Sequence, residues 1–103
     1  MSIEDLAALA TEAKVRVSLE GSFMHGRISV EGDTIPLNGS GEGQGTVLLA
    51  PPSIDVRVLL VTPAPAEYEF SVTINGRTVK ERGIVGGGKV SVRFSYPFSA
   101  FGL

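Results

Sequence analysis

Glu67-Tyr68-Glu69-Phe70-Ser71-Val72-Thr73-Ile74-Asn75-Gly76 is the stretch that decides the fold. Tyr68, Phe70, Val72 and Ile74 share one parity, and Glu67, Glu69, Ser71 and Thr73 share the other. Successive side chains of a strand point to opposite faces, so this order gives one dry face and one wet face. Asn75-Gly76 tolerates the positive φ angles of a tight hairpin turn and marks the reversal into the next strand. The same alternation resumes through Arg77–Arg82, breaks at Gly86-Gly87-Gly88, and continues in Lys89–Tyr96.

Upstream the period of two recurs. Val15, Val17 and Leu19 alternate with Arg16, Ser18 and Glu20, and Glu20-Gly21-Ser22 reads as a reversal. A second strand spans Phe23 to Glu31 and turns at Gly32-Asp33. Pro36 splits the pair Ile35 and Leu37, which demotes that segment to an edge strand or loop. Residues 38–45 carry glycine at every second position, Gly39, Gly41, Gly43 and Gly45, and are expected to be the least ordered internal segment. Thr46–Ala50 is a further strand, stopped by Pro51-Pro52. In Ile54–Val61 the apolar parity is joined at its end by Leu59 and Val61, so cover on both faces is expected there. Seven or eight strands result, with turn signals at roughly the 8–12-residue spacing of a β-sandwich. The expected fold is an all-β antiparallel sandwich of immunoglobulin-like size over residues 14–103.

Residues 1–13 follow a different period. Ser2 is a suitable N-cap, Glu4 and Asp5 suit a first helical turn, and Ile3, Leu6, Leu9 or Ala10, and Ala13 recur at three- to four-residue spacing. A short N-terminal helix over Ser2–Ala13 is expected, stable only against the sheet or a partner.

With 103 residues the chain has the size of one domain, and its 43% apolar content suffices for a core. It contains no cysteine, which excludes disulfides and thiolate metal sites. Nine basic residues against eleven acidic give a net charge of −2; nucleic-acid binding needs a concentrated positive field, no such cluster is read in this sequence, and no nucleic-acid partner is expected. The start, Met1-Ser2-Ile3-Glu4-Asp5, is acidic where a secretion signal is basic, and no window is long enough to span a bilayer. A cytoplasmic protein is the expectation.

Catalytic and metal-binding patterns are weak throughout. His25 is the single histidine, on the polar parity of its strand, and zinc sites draw on several His or Cys ligands. Both glycine-rich segments lead into strands, whereas phosphate loops open helices. Asp33, Asn38 and Glu42 lack the spacing of a calcium loop. No enzymatic activity and no cofactor are therefore expected. The tail Pro97-Phe98-Ser99-Ala100-Phe101-Gly102-Leu103 is apolar to its last residue, where chain ends are usually polar. It either folds back over an open end of the sandwich or docks into a partner. The expected function is a non-catalytic module for protein binding or self-assembly, using Phe98, Phe101 and Leu103 with a sheet edge at Val47 and Leu49. The alternative is a lectin-like module that binds carbohydrate or another small ligand through the glycine-rich loops. Against it stand the absence of tryptophan and the placement of Tyr68, Phe70, Phe94 and Tyr96 on the apolar parity.

Overall fold

The computed structural model describes residues 11–103. Eight strands follow one another: β1 (Thr11–Gly21), β2 (His25–Val30), β3 (Asp33–Ile35), β4 (Glu42–Leu49), β5 (Ser53–Thr62), β6 (Ala66–Ile74), β7 (Arg77–Val85) and β8 (Gly88–Pro97). A 3₁₀ turn, Phe98–Phe101, closes the chain. The strands form two four-stranded sheets, β4-β1-β6-β7 and β3-β2-β5-β8, and all the pairings are antiparallel. Their inner faces share one core, so the molecule is a two-layer β-sandwich.

The deciding stretch behaves as its parity requires. Tyr68, Phe70, Val72 and Ile74 are all buried, and Phe70 meets the opposite sheet through Phe94, ring centroids 5.2 Å apart. Asn75 and Gly76 have φ of 57° and 75°, the pair of left-handed conformations that a two-residue hairpin needs. Glu31-Gly32 repeats the device between β2 and β3, with φ of 52° and 83°, one residue earlier than the sequence suggests. There the Glu31 carboxylate accepts a 2.6 Å hydrogen bond from the Asp55 amide and fixes the hairpin to β5.

Three expectations need correction. The helix expected over Ser2–Ala13 does not reach Ala13, because Thr11, Glu12 and Ala13 pair with Leu49, Leu48 and Val47 in β1. The inward parity of Val15, Val17 and Leu19 extends back through Ala13, so the sandwich begins before residue 14. Residues 1–10, and with them the rest of that helix, lie outside the described residues, among which there is no α-helix.

Second, Glu42–Gly45 is not a loose loop but the first half of β4, paired with Ser18–Val15 of β1. Its glycines serve a close approach: a Cβ on Gly43 would collide with the Pro36 carbonyl oxygen. The tight turn before it is held by the Asn38 side-chain oxygen, which accepts from the Ser40 and Glu42 amides at 2.8 and 3.1 Å. Third, Leu59 and Val61 lie on the outer face of their sheet, 40% and 37% exposed, and no described residue covers them.

The two flanks of the sandwich differ. On one, Ile35 at the end of β3 and Pro36 just after it press against the glycines of β4 and close the gap between the sheets. On the other, β7 and β8 are the edge strands of the two sheets, and the gap between them is filled by side chains that remain half exposed. The first described residue, Thr11, and the 3₁₀ turn both lie at the pole of the Asn75-Gly76 hairpin, since Asn75 binds the Phe101 carbonyl and Ile74 pairs with Val15.

Candidate functional site

The open flank is built from the inward residues of two edge strands. From β8 come Val90, Val92, Phe94 and Tyr96, all half-buried. From β7 come Val79, Glu81 and Gly83. The rings form a chain through the flank: Tyr68–Phe70 at 6.5 Å, Phe70–Phe94 at 5.2 Å, Phe94–Tyr96 at 6.4 Å and Tyr96–Phe101 at 6.1 Å. Pairs at such separations contribute about 0.5–1.5 kcal/mol each beyond the area they bury.

Glu81 is the acidic side chain that β7 turns into this flank, and Arg77, on the same parity, lies against Gly102 of the tail. Glu81 accepts a 3.1 Å hydrogen bond from the Tyr96 hydroxyl. Burial, then the bond to Glu81 and the Glu81 charge, push the Tyr96 phenol well above its ordinary value, so it stays a donor. Burial, with Glu81 second, raises Tyr68 too. Tyr68 lies across β7 where Gly83 has no side chain, its hydroxyl 3.0 Å from where a Cβ would stand.

The lower end of the flank is plugged by the tail. Phe101 is fully buried in its own chain, its carbonyl held by the Asn75 side-chain amide at 3.0 Å. Gly102, at φ 71°, turns the chain so that Gly102 and Leu103 donate to Ser99 and Phe98. The tail thus folds back rather than standing free. Of the residues expected to meet a partner, Phe98 is half-buried, Leu103 is 45% exposed, and Phe101 is interior. Val47 and Leu49 also point inward and are buried, at 1% and 0% exposed, leaving Leu48 as the outward apolar residue of β4.

The β8 edge was not singled out by sequence, and its backbone is the feature that matters. The Phe98 amide donates to the Pro52 carbonyl, and the Glu31 amide to the Asp55 carbonyl. In an antiparallel ladder, residues alternate between turning both backbone groups to one neighbour and to the other. Even-numbered β8 residues therefore face β5. The amides and carbonyls of Lys89, Ser91, Arg93 and Ser95 face outward, where no described strand pairs with them.

A further surface emerges only in three dimensions. Pairing of β2, β5 and β8 brings Arg27, Arg57, Arg93, Lys89 and His25 onto one outer face. Asp55 shares that face and binds Arg93 through both Nε and Nη2, at 3.0 and 2.9 Å. The hydrogen bond from Arg93 is the main reason the Asp55 carboxyl sits below its usual range. His25 is exposed there.

The outer face of the other sheet is polar, and four of its hydroxyls are bonded in pairs. Ser18 bonds Ser71 at 2.6 Å, and Thr73 bonds Thr78 at 2.7 Å. Among the described residues, no group of three or more His, Asp or Glu side chains is arranged to hold a metal ion, and no helix is long and apolar enough to cross a membrane. Comparison with protein-family models, with curated proteins and with solved structures found no match to this chain.

Proposed function

We propose that this chain is a non-catalytic protein-binding module that accepts an extended segment along the free edge of β8. The observation that carries the reading is the coincidence of a ten-residue strand whose outer edge pairs with no described strand and a half-exposed apolar row, Val90, Val92, Phe94 and Tyr96, on its inward side. Main-chain hydrogen bonds supply affinity in strand addition, and alternate side chains supply selection. An added strand would bring both: donors and acceptors for the outward backbone, and apolar side chains to finish covering the aromatic chain. The tail contributes by plugging the lower end of the flank. The carbohydrate reading gains nothing, because half of its glycine segment is strand and the hydroxyls beside it are bonded to one another.

The test is a library of eight-residue peptides of alternating apolar and polar residues, screened against the full chain by backbone NMR. Binding should slow hydrogen exchange at the Ser91 and Arg93 amides and should vanish in Ser91→Pro. If no peptide protects those amides, or if binding survives Ser91→Pro, the reading is wrong.

A further inference from the structure

We infer that the strand received at this edge is β8 of a second copy, joined antiparallel about a two-fold axis at Val92; the inference rests on the β8 edge being strand-accepting. Two identical strands related by a two-fold axis pair residue i with residue j at a constant sum, and the choice of sum decides which side chains meet. Three registers keep most of the strand paired. Centred on Ser91, Lys89 stands opposite Arg93 of the second copy. Centred on Arg93, the two Arg93 residues stand opposite each other. Both place like charges face to face, which is destabilising.

Centred on Val92, every cross-strand pair is compatible. On the outer face Lys89 meets Ser95 and Ser91 meets Arg93, so each base stands opposite a hydroxyl. On the inner face Val92 meets Val92, Val90 meets Phe94, and Gly88 leaves room for the Tyr96 ring. Branched and aromatic pairs of this kind are the favourable ones in sheets.

The backbone agrees with that register. The outward residues Lys89, Ser91, Arg93 and Ser95 then form the hydrogen-bonded pairs, and Val92 falls at a non-bonded pair where side chains lie closest. The remaining like-charge contacts are diagonal, between the two Arg93 side chains and between each Arg93 and Lys89 of the other copy, farther apart than directly opposed pairs. Arg93, which takes part in every one of these contacts, is already held by Asp55 of its own chain. The half-buried row from Val90 to Tyr96 would be covered by its own counterpart, and two four-stranded sheets would become one of eight.

The chain has no cysteine, so single substitutions report the register directly. Val92→Cys, Ser91→Cys and Arg93→Cys are prepared in the full chain and oxidised mildly, with exposed Thr78→Cys as a control for random collision. At the Val92-centred register the two Cα atoms at position 92 lie about 4.5 Å apart, within disulfide reach, whereas a residue one step from the axis is about 7–8 Å from its own copy. Val92→Cys is expected to form a covalent dimer at least about tenfold faster than the other three, and unmodified chain to be dimeric by light scattering. Faster linkage at Ser91→Cys or Arg93→Cys overturns the register. A monomer at every concentration, with Val92→Cys no faster than the control, overturns self-pairing altogether. In that case, peptides that still protect Ser91 and Arg93 leave the edge reading standing with a different partner, and their absence removes both.

Discussion

β7 and β8 border the same flank, each an edge strand of nine or ten residues, yet they present opposite prospects to a neighbouring strand. β7 turns Lys80 and Arg82 outward and Glu81 inward. Centred on Lys80 or Arg82, self-pairing would oppose two copies of that base; centred on Glu81, it would oppose the two glutamates and set Lys80 against Arg82. Charges placed like this, one of them pointing inward, are a recognised defence of sheet edges. β8 has no inward charge, spaces its bases with serines, and engages one of them with Asp55. The lesson is that an edge is judged by the register its charges permit rather than by how many it carries.

The largest expected effect concerns the plug beneath both strands. Phe101→Ala should lower stability by about 3–5 kcal/mol, because a buried ring is removed from the end of the aromatic chain. Urea unfolding followed by circular dichroism reads this directly, and an unchanged midpoint would mean the tail does not hold the flank shut.

Next comes a pair of prolines one residue apart. Val92→Pro removes an amide turned to β5 and should cost about 3 kcal/mol or more, whereas Ser91→Pro removes one turned to the free edge and should cost under about 1 kcal/mol. Equal losses in the same unfolding assay would refute the assignment of inner and outer residues on β8.

A smaller effect links the strands across the gap. Tyr96→Phe deletes the hydroxyl bonded to Glu81 and should cost about 1 kcal/mol at neutral pH. The folded phenol ionises above its unfolded value of about 10, so its stabilisation is complete below that pH and declines as pH rises through and beyond it. Melting temperature against pH should therefore fall above that point in the parent chain and fall less steeply in Tyr96→Phe.

The smallest change is at Asp55→Asn. The folded carboxyl titrates below its unfolded value, so its contribution holds above about pH 4 and is lost as pH falls through the folded value. The pair is exposed, and melting at neutral pH should barely move. Association by light scattering should weaken nonetheless, because Arg93 is released beside its symmetry mate.

What the sequence disclosed follows the reach of each interaction. Tyr68 to Ile74, the Asn75-Gly76 turn and the alternation of β1 were legible because their causes lie within a few residues. The strand character of Glu42–Gly45 was hidden, because its glycines answer to Ile35 of the other sheet and to Pro36 just beyond it. The basic face could not be read either: Arg27, Arg57 and Arg93 are neighbours only through strand order. Leu59 and Val61 suggested a covered surface, when apolar residues at a strand end are merely tolerated there. The free edge of β8 depended on knowing that β5 has β2, not another strand, on its far side.

One consequence follows from where the described chain starts and stops. Thr11 and the Phe98–Phe101 turn share the pole of the Asn75-Gly76 hairpin, and the molecule is 48 Å long. Two copies joined head against foot along β8 would send these poles to opposite extremes. Groups carried at those two poles would then be held apart by the length of the pair, so the join would work as a spacer as well as a clasp.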